Sequence, residues 1–183
     1  MTPPVPPGRA TAGPRSAHAL EDPADRDGDR AVDLLLVCSS GGHLLQLLSL
    51  RDAWSGHRPL WVTFDKSDAR SLLIGERGVF AFGPTNRNIP NLLRNIVLAW
   101  RLLRRRRPRV ILTTGAGVAV PFAWIGRLLG ARIVYVESFT RIDSVSMSCR
   151  MIRPVADGVY VQWPEMLDVL PGSRYVGNVF FDE

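Results

Sequence analysis

At 183 residues the chain has room for one ordinary domain and not two. It is 46% hydrophobic and 22% charged, which calls for a folded core, and no apolar run reaches the roughly 18 residues that a membrane-crossing helix needs. The net charge of +6 is almost wholly arginine, Lys66 being the single lysine, so a reactive-lysine chemistry has one candidate; the pair Cys38 and Cys149 and the scattered His18, His43 and His57 exclude a disulfide framework, a zinc knuckle and a His-rich metal site.

Residues 1–30 hold six of the 14 prolines and five acids against four arginines, with no apolar stretch of the signal-peptide kind. Such a segment buries too little apolar surface to offset its ordering entropy, and a disordered Pro-rich tail is expected there, leaving 31–183 as the folded domain. Cysteine usage points to a reducing, cytoplasmic setting.

From Asp33 onward strands and helices alternate. DLLLVCSS (33–40) is a continuous apolar run of the kind buried on both faces of a parallel sheet, and LLQLLSLRDAW after it has helical spacing. PLWVTF (59–64) is a second strand, followed by a short helix opening at Asp65 or Ser67, and GVFAFG (78–83) is a third. A long helix runs from Pro90 to about Arg106, where Pro108 stops it. RVILTTG (109–115), RIVYVES (132–138), GVYVQW (158–163) and SRYVGN (173–178) are further strands, with helices at 117–130, near 144–153 and within WPEMLDVL. This order predicts an α/β, doubly wound parallel sheet of the Rossmann type.

Ligands of such sheets bind beyond the C-terminal strand ends. That rule selects three loops. In SSGGH (39–43), Gly41 and Gly42 let backbone approach a ligand, helix-start N–H groups suit a phosphate or diphosphate, and Ser39 and Ser40 add hydroxyls; a tight strand-to-helix turn is the structural alternative. Neither G-x-G-x-x-G nor a P-loop is present, which argues against a nucleotide-dependent oxidoreductase. His43, at the positive helix end, is expected neutral and able to accept a proton, or else to pack and cap. In TTGAGVAVP, Gly115 and Gly117 suit close approach to a polar ligand or to the sheet. In VESFTR, Glu137 is placed to orient a hydroxyl or act as base, or to pair with Arg132 or Arg141; Asp143 is a weaker candidate.

The long helix has its own pattern. Between Gly83 and Arg109 lie eight arginines and no acid. Leu92, Leu93, Ile96, Trp100 and Leu103 share one side, widened by Val97, Leu98 and Leu102. With Trp100, Arg101, Arg104, Arg105, Arg106 and Arg107, this suits an anionic membrane surface. A sheet-covering helix with a solvated basic end and a nucleic-acid contact are the other readings; no nucleic-acid motif accompanies the arginines.

CSSGGHLLQLLSL, TTGAGVAVPFAWIGRLLGARIVYVES and RYVGNVF, in that order, resemble the N-terminal half of a GT-B glycosyltransferase. The nearer resemblance is to the asparagine-linked glycosylation fourteen-like family, the membrane-anchor subunits of two-subunit UDP-GlcNAc transferases, with bacterial members in capsule and exopolysaccharide synthesis. The acceptor domain of MurG-type transferases is more distantly similar. The resemblance implies one half of a split inverting glycosyltransferase, bound peripherally at the cytoplasmic face of the plasma membrane. It would take a polyprenyl-diphosphate-linked acceptor while a separate chain binds the UDP-sugar. No cofactor or metal is implied. Gly41, Gly42, Gly115 and Gly117, with Ser39 and Ser40, would lie by the diphosphate, and His43 and Glu137 by the reacting centre. Two departures stand out: Ser138 and Phe139 replace the Gln-Asn that follows the acid in the MurG type, and the first loop lacks an extra Gly-Thr-Gly. A non-catalytic membrane scaffold that recruits and activates a glycosyltransferase is the alternative.

Overall fold

The computed structural model describes residues 19–20, 32–85 and 87–181. Seven parallel strands form one sheet: β2 (Leu34–Val37), β3 (Pro59–Phe64), β4 (Gly78–Ala81), β5 (Val110–Thr113), β6 (Arg132–Val136), β7 (Gly158–Val161) and β8 (Arg174–Tyr175). A two-residue strand, β1 (Ala19–Leu20), pairs antiparallel with β4 at one edge. The rest of the expected tail lies outside the described residues. The strand order is β1-β4-β3-β2-β5-β6-β7-β8. The chain winds one way from β2 to β4 and the other from β5 to β8, so a switch point falls between β2 and β5.

Alternation along the strands builds two cores. Leu34, Leu36, Trp61 and Phe80 face α1 (Gly42–Ser49), α2 (Arg51–Trp54) and α3 (Ser67–Leu72), packing on Leu44, Leu47, Trp54, Ala69 and Leu73. Leu35, Val37, Leu60, Val62, Ile111 and Ile133 face the opposite side. There they meet α4 (Ile89–Arg106), α5 (Ala119–Leu128) and α6 (Met147–Ile152). A last short helix, α7 (Met166–Val169), precedes β8. On the α1 side, Leu112, Val134, Val136 and Tyr160 help line a hollow of about 1150 Å³, which Ala53 and Trp54 of α2 border. The expected first helix is two pieces, broken at Leu50.

α4 is oriented by its polar residues. Asn91, Asn95, Ala99 and Leu103 form its buried side. Asn95 mimics a neighbouring strand: its Nδ2 donates to the Phe82 carbonyl at 2.8 Å, and its Oδ1 accepts from the Phe82 N–H at 2.9 Å. Asn91 Nδ2 donates to the Pro84 carbonyl at 2.9 Å, and Asn88 caps the helix through the Asn91 N–H. Leu103 is therefore core rather than part of an outward face, and Leu98 and Leu102 also pack inward, a correction to the sequence pattern. Ile89, Leu92, Leu93, Ile96, Val97 and Trp100 are left exposed. Arg104 stacks over the Trp100 ring, 5.4 Å from its centroid. Among the described residues no helix is long and apolar enough to cross a membrane.

Candidate functional site

The loops after β2 and β5 flank the switch point, and a cleft of about 1410 Å³ opens there at the C-terminal strand ends. Ser39, Ser40, His43 and Gly117 line it, together with Ser138, Ser146 and Ser148 from the β6–α6 segment. Gly41, Gly42, Gly115 and Glu137 are not among the lining residues, although each adjoins one in sequence. Trp100, Arg101 and Arg104–Arg107 lie further along α4 and its C-cap, away from the cleft.

His43 occupies the first turn of α1, where the N-cap Gly41 has φ +77. Only glycine adopts that angle without strain, which is how the chain turns from β2 into the helix. The Thr114 hydroxyl donates to the His43 carbonyl at 2.9 Å and so ties the two glycine loops together. The His43 Nδ1 is buried and has no hydrogen-bond partner. Burial holds the imidazole below its ordinary pKa; Arg141 adds to that, while the Thr114 backbone and Glu137 oppose it. A neutral ring with an unengaged nitrogen is the state a proton acceptor requires.

Glu137 is fully buried and engaged by the protein itself. Its Oε1 accepts from the Ser138 N–H at 2.8 Å and the Tyr135 hydroxyl at 3.3 Å. Its Oε2 accepts from the Ser146 N–H at 3.1 Å and the Ser146 hydroxyl at 3.0 Å. These partners are hydroxyls and backbone N–H groups rather than Arg132 or Arg141. The carboxylate thus fixes the β6–α6 segment that forms one cleft wall. Gln46 fixes the same segment from α1, donating to the Glu137 carbonyl at 2.8 Å and accepting from the Phe139 N–H at 3.1 Å.

The glycine loops are also engaged internally. The Gly41 N–H donates to Asp68 Oδ2 at 2.7 Å, and the Gly115 N–H to Thr113 Oγ1 at 2.9 Å. A Cβ on Gly115 would stand 2.7 Å from the Tyr135 hydroxyl and 2.9 Å from Ser148 Oγ, at a backbone φ of +103. A Cβ on Gly117 would meet Thr85 Oγ1 at 2.9 Å. Close packing on the protein's own hydroxyls accounts for both small residues.

Sequence reasoning did not single out the cations of the cleft. Lys66, Arg87, Arg94 and Arg141 all line it, and among the described residues none of them is ion-paired. Asp65 is the one acid on the lining, and Arg70 holds it at 2.6 and 2.8 Å. The available signal was position: Lys66 and Arg141 each follow a strand's C-terminal end. Among the described residues no group of His, Cys, Asp and Glu could hold a metal ion.

The comparisons agree with this architecture. A family model described as "Oligosaccharide biosynthesis protein Alg14 like" matches residues 84–179. The human protein named UDP-N-acetylglucosamine transferase subunit ALG14 is 28% identical over 180 residues, covering 81% of this chain and 83% of that protein. The protein of the same name in Schizosaccharomyces pombe is 40% identical over 77 residues, covering 39% of this chain and 37% of its own length. Among solved structures, MurG of Acinetobacter baumannii superposes with a TM-score of 0.64 at 18% identity, over 82% of this chain and 46% of that one. A UDP-N-acetylglucosamine 2-epimerase from Rickettsia bellii gives 0.61 at 14% identity, over 82% and 46%. The chain therefore spans less than half the length of these structures, and at such identities the likeness is one of fold: a Rossmann-like α/β half of a GT-B architecture.

Proposed function

This chain belongs to the Alg14-like family of oligosaccharide biosynthesis proteins, and on that premise we propose that it is the acceptor-side subunit of a two-chain inverting glycosyltransferase. It binds a polyprenyl-diphosphate-linked sugar at the cytoplasmic face of the plasma membrane, as a peripheral protein, and a separate chain binds the UDP-sugar. The observation that carries this reading is the position of the cleft. It opens at the switch point beside His43, and its far wall is α4, which also exposes Leu93, Ile96, Val97 and Trp100, followed by Arg101 and Arg104. The human relative's name as a transferase subunit supports the need for a partner.

In the reaction so read, an acceptor hydroxyl in the cleft that His43 lines gives up its proton to the neutral imidazole as its oxygen attacks the sugar's anomeric carbon. The bond from that carbon to the UDP oxygen breaks on the opposite side, and UDP leaves with the donor chain. Glu137 acts through position: it fixes Ser138 and Ser146 on the wall opposite. Exposed Trp100, Arg101 and Arg104 face an anionic bilayer, where each basic residue contributes about 1 kcal/mol.

Transfer of labelled sugar from UDP-GlcNAc to a lipid-linked acceptor, with this chain alone, with the partner alone and with both, tests the proposal. Turnover is expected only with both; robust turnover by this chain alone sinks it. The internal engagement of Glu137 favours a second reading, a non-catalytic membrane scaffold. It predicts that His43→Ala leaves turnover of the complex unchanged, whereas a participating His43 predicts a loss of about 100-fold or more with partner binding intact.

A further inference from the structure

We infer that the anionic group of the acceptor, a diphosphate on an isoprenoid chain, is held by the side-chain cations of the cleft, centred on Arg94 with Lys66 and Arg87, and not by the N–H groups of the glycine loops. This rests on the acceptor-side reading above and says where on that side the charge sits.

The loops are poorly placed to receive it. The Gly41 N–H at the start of α1 already donates to Asp68, so a carboxylate stands where an incoming phosphate would have to go. The Gly115 N–H is spent on Thr113, and the space over Gly115 is filled by the Tyr135 and Ser148 hydroxyls. An anion approaching the Gly41 or the Gly115 N–H displaces a bond already made, and at Gly41 it also meets a like charge.

The cations around the cleft have the complementary character. Lys66, Arg87, Arg94 and Arg141 converge on one concavity from four separate segments, with Asp65 already neutralised by Arg70. Unpaired cations gathered around a cleft repel one another, and a multiply charged anion relieves that repulsion. Arg94 is the most preorganised of them. Its Nη1 donates to Asn91 Oδ1 at 3.3 Å, and its guanidinium lies over the Phe82 ring, 5.8 Å from the centroid. Asn91 is itself buried and bonded to the Pro84 carbonyl. A guanidinium held on two sides presents its remaining N–H groups as a fork, which matches two phosphate oxygens.

Placement also fits a lipid rather than a free anion. Leu92 lines the cleft two residues before Arg94, and Leu93, Ile96 and Val97 continue as exposed apolar surface on the same helix. A diphosphate at Arg94 leaves its isoprenoid chain beside that surface. The charge and the chain are then read by one element.

Titration calorimetry of the full chain with farnesyl diphosphate, inorganic diphosphate and farnesol tests this, with Arg94→Gln, Lys66→Gln and Asp68→Asn as variants. Farnesyl diphosphate is expected to bind, and to bind more tightly than either fragment. Arg94→Gln weakens it about tenfold or more, Lys66→Gln weakens it measurably, and Asp68→Asn leaves it within about twofold. If both cation variants bind like the parent while Asp68→Asn tightens binding, the loop N–H groups hold the anion and the inference is wrong. Equal affinity for farnesyl and inorganic diphosphate overturns the lipid assignment. A parent chain that ignores farnesyl diphosphate but binds UDP-GlcNAc overturns instead the acceptor-side reading on which this rests. Melting curves of the three variants verify the fold, since Arg94 and Lys66 are exposed and Asp68 is half-buried.

Discussion

Glu137 shows what a single side chain does here. All four of its hydrogen bonds come from donors, and two of these are backbone N–H groups that cannot reverse. In Glu137→Gln the new amide nitrogen must face either the Ser138 or the Ser146 N–H. Leaving one such buried donor unpaired costs about 1–3 kcal/mol, so a lower urea midpoint is expected even without substrate. His43 contributes through pH. Its folded pKa lies below the ordinary imidazole value because of burial, so the unfolded chain takes up the proton first on acidification. Stability is therefore complete above the ordinary value of about 6.5 and declines as pH falls beneath it, until the folded value is passed. His43→Gln should flatten urea midpoints measured from pH 7.5 to 5, and an unchanged slope would assign the acid sensitivity elsewhere. The sequence shows Glu137 at a strand end and His43 at a helix start, because both places follow from local patterning. It does not show that Ser146, nine residues on, satisfies Glu137. That depends on how the intervening loop folds back.

At the scale of elements, α4 is where local pattern and tertiary structure diverge. Its limits are legible, since Pro90 sits near its start and Pro108 follows its end. Its inward side is not. Apolar periodicity alone sends leucines inward, yet Asn91 and Asn95 are buried because the backbone at 82–84, running on past β4, pairs with no strand among the described residues. Side-chain amides supply the missing partners, and Leu92, Leu93 and Trp100 turn outward. Asn95→Ala strands both polar groups of Phe82 in a part-buried setting, which should cost about 2–4 kcal/mol in thermal or urea unfolding, at about 1–2 kcal/mol for each lost partner. Changing Arg101 and Arg104 together to Gln tests the opposite side. At about 1 kcal/mol each, the pair predicts a tenfold or greater loss of binding to anionic vesicles in flotation, with little change on neutral ones. Equal binding of the parent to both lipids would remove the electrostatic contribution.

For the molecule as a whole, the alternation of strands and helices was legible because buried parallel strands read as continuous apolar runs. The sheet order was not, since one sequence carries no pairing information. That order is what assembles the site. Lys66 follows β3, Arg87 and Arg94 follow β4 and Arg141 follows β6. They converge only because β4-β3-β2-β5-β6 is the spatial sequence of the strands. A reading loop by loop finds the glycines, whose signal is local, and passes over the cations, whose signal is geometric.

The shared helix has a kinetic meaning. α4 supplies both a wall of the cleft and exposed apolar surface, so on the proposed reading a chain seated on a bilayer by that surface meets its acceptor sideways, within the membrane plane. The rate then answers to acceptors per unit area rather than per litre. Diluting vesicles of fixed composition should leave turnover per bound complex unchanged. Spreading the same acceptor through added inert lipid should lower turnover in proportion to its mole fraction. A rate that instead follows bulk acceptor concentration would mean that the substrate arrives through water.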